Sequence, residues 1–267
     1  MKWIKRLCSF IFLCVVIAVG VLLFKGYQDY REALDTMSIE EMVQRIESID
    51  HYTEIEDLPQ VYVDAVLAVE DKRFYRHPGI DPIAIGRALF NDIRAGAYVE
   101  GGSTITQQLA KNQYFTQDKK IVRKVAEMFM AFKIESTLDK DKIFELYVNS
   151  IFFGNNYYCV ADASQGYFGK NPSEMNFDEC TILAGVPNAP SNYNPKASEE
   201  LARQRQNQVL EKMKEAGFLK ETKELARGSA RERIREKCEA LYNQRQIGQY
   251  NHSKMLSSGR KGEQWLW

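Results

Sequence analysis

The sequence has no excess of either charge: 36 Lys and Arg stand against 36 Asp and Glu, for a formal net charge of zero. That argues against a nucleic-acid binder, which normally carries a basic surplus to meet phosphates. Ligands for a metal or a disulfide framework are also scarce. The three histidines lie far apart, and of the five cysteines Cys8 and Cys14 fall in an apolar N-terminal run. The odd set left, Cys159, Cys180 and Cys238, shows no C-x-x-C or Cys/His ligand spacing, so these thiols read as small core residues. Strand alternation of useful length is missing, as is any internal repeat, and the expectation is an all-α chain.

What the chain does have begins with a membrane signal. Lys2, Lys5 and Arg6 precede residues 7–24, which carry no charge and only one hydroxyl, Ser9. This is about the minimum length for a helical span. A signal peptide starts the same way, but no small-x-small cleavage site follows, so an uncleaved anchor is expected. With its basic start held in the cytoplasm, the rest of the chain is exported.

Residues 28–57 are polar and acidic with short apolar repeats such as Met42, Ile46 and Ile49, and read as a stalk. Pro59 then opens a helix in which Ala65 to Val69 run directly into Glu70 and Asp71. Apolar residues ending in two acids deliver carboxylates to an edge or cleft, where an unpartnered charge is expensive unless it has a use. Beside Lys72 and Arg73 the same pair also fits an ordinary surface cap.

Asp81-Pro82 starts the next helix, with Ile85, Ala88, Leu89 and Ile93 as its core stripe and an end near Gly96. Residues 97–102 form a short, mobile Gly-containing link. A run dense in hydroxyls and amides follows, from Ser103, the expected cap, through Thr104, Gln107 and Gln108 to Lys111. It suits either a polar helix start or a wall that hydrogen-bonds a sugar. Asp118 is expected to cap a long helix with apolar face Ile121, Val125, Met128, Phe129 and Phe132, while Lys119, Arg123 and Glu127 align at steps of four. Arg123 and Glu127 make either a solvent pair or, with Lys119 and nearby Lys111, part of a site that neutralises a diphosphate.

Further helices are predicted after Asp139, from about Tyr158 to Phe168 with a stop at Gly169, from Phe177 to Gly185, and from Ser198 to Ala216 before Gly217. A loop rich in Pro and Asn separates the last two. From residue 220 the chain becomes a charged extension ending in a disordered tail. The expected division is an anchor (1–27), a stalk (28–57), a catalytic domain (58–219) and this extension (220–267).

Five motifs in this order and spacing resemble those of the family 51 glycosyltransferases, the peptidoglycan polymerases found alone or fused to penicillin-binding domains. They are Glu70-Asp71-x-x-Phe74-x-x-His77-x-Gly79, Gly102-Ser103-Thr104-Ile105-Thr106-Gln107-Gln108, Arg123-Lys124-x-x-Glu127, Lys142 through Tyr147-x-Asn149 to Phe153-Gly154, and Ala184 to Pro195. The chain looks like a monofunctional member.

The resemblance implies a lysozyme-like helical fold with a small membrane-proximal jaw. It implies an enzyme of the bacterial cytoplasmic membrane that joins a growing glycan, held on undecaprenyl diphosphate, to the 4-hydroxyl of lipid II. Glu70 would be the base. Lys111, Lys119 and Arg123 would contact phosphate, and Ser103, Thr104, Gln107 and Gln108 would contact sugar and phosphate oxygens. Asp71 would orient the loop and support the substrate site, and His77 would tie the loop together. Glu127, the second essential acid, either holds Arg123 and Lys124 or shares a divalent cation, Mg or Mn, with the diphosphate. No organic cofactor is implied. The partners are lipid II, membrane lipid and other cell-wall synthesis proteins.

Asn156, Cys159 and Ala161 depart from the glycine-rich family pattern after Gly154, which leaves the shape of that loop open. Transpeptidase chemistry is not expected, since the only exported Ser-x-x-Lys, Ser258-Gly259-Arg260-Lys261, lies in the polar tail and Lys-Thr-Gly is absent. A lytic enzyme on peptidoglycan and a catalytically silent membrane-tethered scaffold are the rival readings.

Overall fold

A computed structural model describes residues 2–97, 101–116 and 120–219. Residues 98–100 of the expected mobile link (97–102), the proposed cap Asp118, the candidate Lys119 and the charged extension from 220 onward, with Cys238, lie outside the described residues.

Among the described residues the regular structure is helical. In chain order the helices are α1 (Lys2–Thr36), α2 (Ile39–Glu47), α3 (Gln60–Glu70), α4 (Pro82–Ala95), α5 (Ile105–Tyr114), α6 (Ile121–Thr137), α7 (Lys140–Val148), α8 (Val160–Phe168), α9 (Phe177–Gly185), α10 (Pro190–Tyr193) and α11 (Glu199–Glu215), joined by short 3-10 turns. Helix α1 is long and apolar enough to cross a membrane, and its most apolar stretch packs against nothing in the protein.

Helix α3 is the axis of the domain. Every residue from Val61 to Ala68 is buried, with α9 and α11 packed against the helix and apolar residues of α5 and α7 in the same core. A helix that is apolar all round has to be enclosed in this way. Its axis brings Glu70 to the edge of the core at its C-terminal end, where Asp71 follows as a buried cap residue. Asp81 and Asp139 cap as the sequence predicts, accepting from the amides of Ile83 and Ala84 and of Lys142, and Ser198, at the expected start of α11, accepts from that of Leu201.

Several expectations need correction. The stalk is helical, with α1 unbroken through residue 36, but it does not stand apart from the domain, because α2 buries Ile39, Met42 and Ile46 in the main core. The cap of α5 is Thr104, which forms a reciprocal capping box with Gln107, and not Ser103. Helix α6 buries Val125, Ala126, Glu127, Met130, Ala131 and Ile134, whereas Ile121 and Phe132 are exposed. Of the expected stripe, Val125 is buried and Phe129 lies under Tyr27 and Tyr30 of α1, and α5 also packs on α6. Helix α4 buries only Ala88. Ile85, Leu89 and Ile93, expected in the core, lie at the surface with Ile83 and Phe90.

Candidate active site

Glu70 is the last residue of α3, and Asp71 turns the chain out of the helix with φ −159°. The loop that follows is locked from several directions. His77 Nε2 lies 2.9 Å from Asp71 Oδ2, and the amide of Gly79 donates to His77 Nδ1 at 3.2 Å. A ring nitrogen that accepts carries no proton, so this geometry assigns the proton to Nε2 and makes His77 the donor to Asp71. Asp71 Oδ2 also accepts from the amide of Ile105 at 3.1 Å. Thr104 Oγ1 donates to the carbonyl of Gly79 at 2.6 Å, and Lys140 Nζ to that of His77 at 2.7 Å. The structure therefore ties the polar atoms of Asp71, Thr104 and Gln107 into the fold, while Asp71 and Thr104 also border the cavity that Glu70 enters. Their polar atoms hold the loop and the start of α5, and all three side chains are buried. His77 ties the loop, as expected.

Glu70 points the other way, into a cavity of about 660 Å³ lined by Ser103, Gln108, Lys111 and Arg205 among others. A hollow of about 860 Å³ around His51, Tyr52 and Tyr157 is larger, but it lacks any grouping of lysine and arginine opposite a carboxylate. Gln108 Nε2 donates to Glu70 Oε2 at 2.7 Å. Burial raises the Glu70 carboxyl above the usual range; the Gln108 hydrogen bond and the charges of Arg205 and Lys111 oppose this, and neighbouring Asp71 adds to it. A carboxylate whose affinity for protons is raised while it stays accessible is suited to accept one.

The cations form a layered group. Glu127 is fully buried in α6. Its Oε1 lies 2.9 Å from Arg123 Nε and its Oε2 accepts from Lys124 Nζ at 2.8 Å. Lys124 Nζ also donates to Ser103 Oγ at 2.7 Å, at the edge of the Glu70 cavity. Arg123 is held from a second side by the carbonyl of Thr116 at 3.0 Å. Lys111 connects the two halves. Burial lowers its pKa, Glu127 and, less strongly, Glu70 oppose that, and Lys124 and Arg123 reinforce it, so Lys111 stands within electrostatic reach of both acids. Arg123 and Glu127 are thus no solvent pair: Glu127 is the buried counter-charge of a cation cluster.

A divalent cation shared between Glu127 and a diphosphate, as the resemblance implies, would have to compete with Arg123 and Lys124 for the Glu127 oxygens. Both oxygens of Glu127 already face cations, and the described residues contain no group of three His, Cys, Asp or Glu side chains able to hold a metal ion.

Arg205 was missed by sequence reasoning. It reaches the cavity from α11, is desolvated enough for its pKa to fall, and has Glu70 as the leading opposing charge. Its Nη1 donates to Gln208 at 2.8 Å. In sequence it sits among the charged residues of a helix that reads as surface, and the only hint is its place within a face whose Ala202 and Val209 are buried.

A family model described as Transglycosylase matches residues 37–214. Penicillin-binding protein 1A of Aquifex aeolicus is 48% identical over 168 residues, covering 63% of this chain and 23% of that protein. Penicillin-binding protein 1A of Vibrio cholerae is 37% identical over 236 residues, covering 82% of this chain and 28% of the relative. This chain therefore spans about a quarter of the length of these two relatives. The match takes in the loop at Glu70, the Glu127 cluster and most of α11, and on that basis the chain belongs to the transglycosylase family.

Proposed function

We propose that this protein polymerises peptidoglycan glycan, transferring a lipid-diphosphate-linked chain to the 4-hydroxyl of lipid II. The observation that carries the reading is the cleft in which a half-buried Glu70, its pKa raised by burial, faces Lys111 and Arg205, with Lys124 and Arg123 held behind them by Glu127.

The chemistry balances on these residues. As the acceptor oxygen bonds to the donor's anomeric carbon, its proton passes to Glu70. The bond from that carbon to the phosphate oxygen breaks, and the electron pair leaves with the diphosphate. Negative charge grows on the leaving group, and fixed cations stabilise it more in the transition state than in the ground state. Lys111, which lines the cavity, is assigned this role together with Lys119. Ser103 and Gln108 offer polar contacts at the rim. A lytic enzyme on glycan releases no diphosphate and has no use for such a cluster.

Helix α1 would anchor the protein with Lys2, Lys5 and Arg6 in the cytoplasm and the domain outside, and the exposed apolar residues of α4 would form the membrane-side jaw. Both suit a substrate that stays in the bilayer. The test is polymer formation from labelled lipid II by the full-length protein. Glu70→Gln is expected to abolish it while the domain stays folded, and full polymer yield from that variant would remove Glu70 from the mechanism.

A further inference from the structure

We infer that Tyr147 is a positioning residue for Glu70 that acts through Gln108: its hydroxyl takes the oxygen end of the Gln108 amide and so turns the N–H end toward the carboxylate. This rests on the reading of Glu70 as the base.

Tyr147 lies on α7, is fully buried, and does not line the cleft. Its hydroxyl donates to Gln108 Oε1 at 3.4 Å, a long contact, while Gln108 Nε2 donates to Glu70 Oε2 at 2.7 Å. An amide has one accepting and one donating end, and an ionised carboxylate can only accept. With the amide reversed, two acceptors would face each other at the base. A donor behind Gln108 therefore favours the orientation that keeps Glu70 ionised and ready.

A phenol suits the position because it can also accept. Once Glu70 has taken a proton its hydroxyl becomes a donor, the amide can turn its oxygen toward it, and the Tyr147 oxygen can receive the N–H end. Tyr147 thus meets Gln108 in both halves of the catalytic cycle. Its hydroxyl stays protonated throughout, since burial holds it well above the ordinary phenol range.

The groups facing Glu70 are Asp71 on its own segment, Gln108 and Lys111 of α5, Arg205 of α11, Tyr147 of α7, and Tyr62 two turns earlier on α3. Tyr62 is an internal control. It is equally buried and senses the Glu70 charge, but its hydroxyl makes no hydrogen bond within the described residues.

The test is the pH dependence of lipid II turnover by full-length Tyr147→Phe, Gln108→Leu, the double variant and Tyr62→Phe, each checked by thermal unfolding. Gln108→Leu is expected to move the acid limb up by about one pH unit, the loss of one hydrogen bond to a charged group. Tyr147→Phe is expected to move it the same way by less, and to add nothing in the Gln108→Leu background. Tyr62→Phe should leave the limb in place. A lowered plateau with an unmoved limb in Tyr147→Phe, or the same added shift with and without Gln108, would overturn the inference. Should Tyr147→Phe not fold, 3-fluorotyrosine in place of Tyr147 donates more strongly and is expected to move the limb down; no movement overturns the inference equally. Wild-type turnover by Glu70→Gln would overturn the base reading and this inference together, whereas an inactive Glu70→Gln with an unmoved Tyr147→Phe limb would overturn the inference alone.

Discussion

Glu127→Gln keeps the shape of the side chain and removes one negative charge from beneath two cations. The native carboxylate is fully buried, 2.9 Å from Arg123 Nε and 2.8 Å from Lys124 Nζ. Breaking a fully buried ion pair from one side costs about 3–5 kcal/mol. The partners here are less enclosed, Arg123 at 18% side-chain exposure and Lys124 at 44%. Water recovers part of the loss, and the expected cost is roughly 2 kcal/mol. For a domain of this size that lowers Tm by about 4–8 °C. Glu70→Gln is expected to behave in the opposite way. Its folded-state pKa is raised, so its contribution to stability is full below the unfolded pKa and is lost as pH rises through the folded one. Near neutral pH the ionised group disfavours the folded state, and an uncharged amide leaves Tm unchanged or higher. Calorimetry of the two variants and the wild type in one detergent, alongside lipid II turnover, separates the roles. Both variants should lose activity, and only Glu127→Gln should lose stability. If Glu127→Gln melts with the wild type, Glu127 is not the counter-charge that holds the cation cluster together.

Three further outcomes follow from the same geometry. Turnover should fall on acidification through a limb above the ordinary carboxylate value of about 4.3, because Glu70 must be ionised to accept a proton and its pKa is raised; a pH–rate profile with its limb at or below that value would refute this. Arg205→Met removes a cation that favours the ionised Glu70, so the same limb should move further up and turnover should drop roughly tenfold or more; an unmoved limb would take Arg205 out of the site. Gly79 has φ +99°, and a Cβ there would meet the carbonyl oxygen of Ala131 at 3.0 Å, so Gly79→Ala should destabilise the domain by about 1–3 kcal/mol, read as a lower Tm; an unchanged Tm would mean the loop yields.

The helix starts were the most legible part of the chain, since Asp81, Asp139 and Ser198 cap in place through bonds that span two or three residues. Local chemistry sets them, so local sequence reveals them. The long-range choices were harder. The apolar residues of α6 cover more than one face, and which face turns inward depends on α1, more than ninety residues earlier in the chain. The same holds for α2: its apolar positions read as a weak stalk because nothing nearby in sequence reveals the core they join. At the site, Glu70, Ser103, Gln108, Lys111, Arg123, Lys124 and Glu127 are brought to one cleft and its supporting layer. Gln107 shares the same motif but faces the interior, and Asp71 and Thr104 border the cleft with their polar atoms already taken by His77, the Ile105 amide and the Gly79 carbonyl. Arg205 stayed hidden because one arginine in a charged helix looks like any other until the packing of that helix on α3 is known.

The close contact of α1 with α6 bears on how this protein meets its lipid environment. A Cβ on Gly26 would come within 2.5 Å of Val125 Cγ1, so at this point the two helices touch nearly backbone to side chain. Two residues further along α6 stands Glu127. The rod entering the bilayer and the helix carrying the cation cluster are therefore one stiff unit, with α1 extending about 18 Å past residue 24 at 1.5 Å per residue. A thinner or more curved bilayer would lean the whole catalytic body rather than flex a tether, and the height at which the cleft meets the headgroups would be set by the rod's tilt.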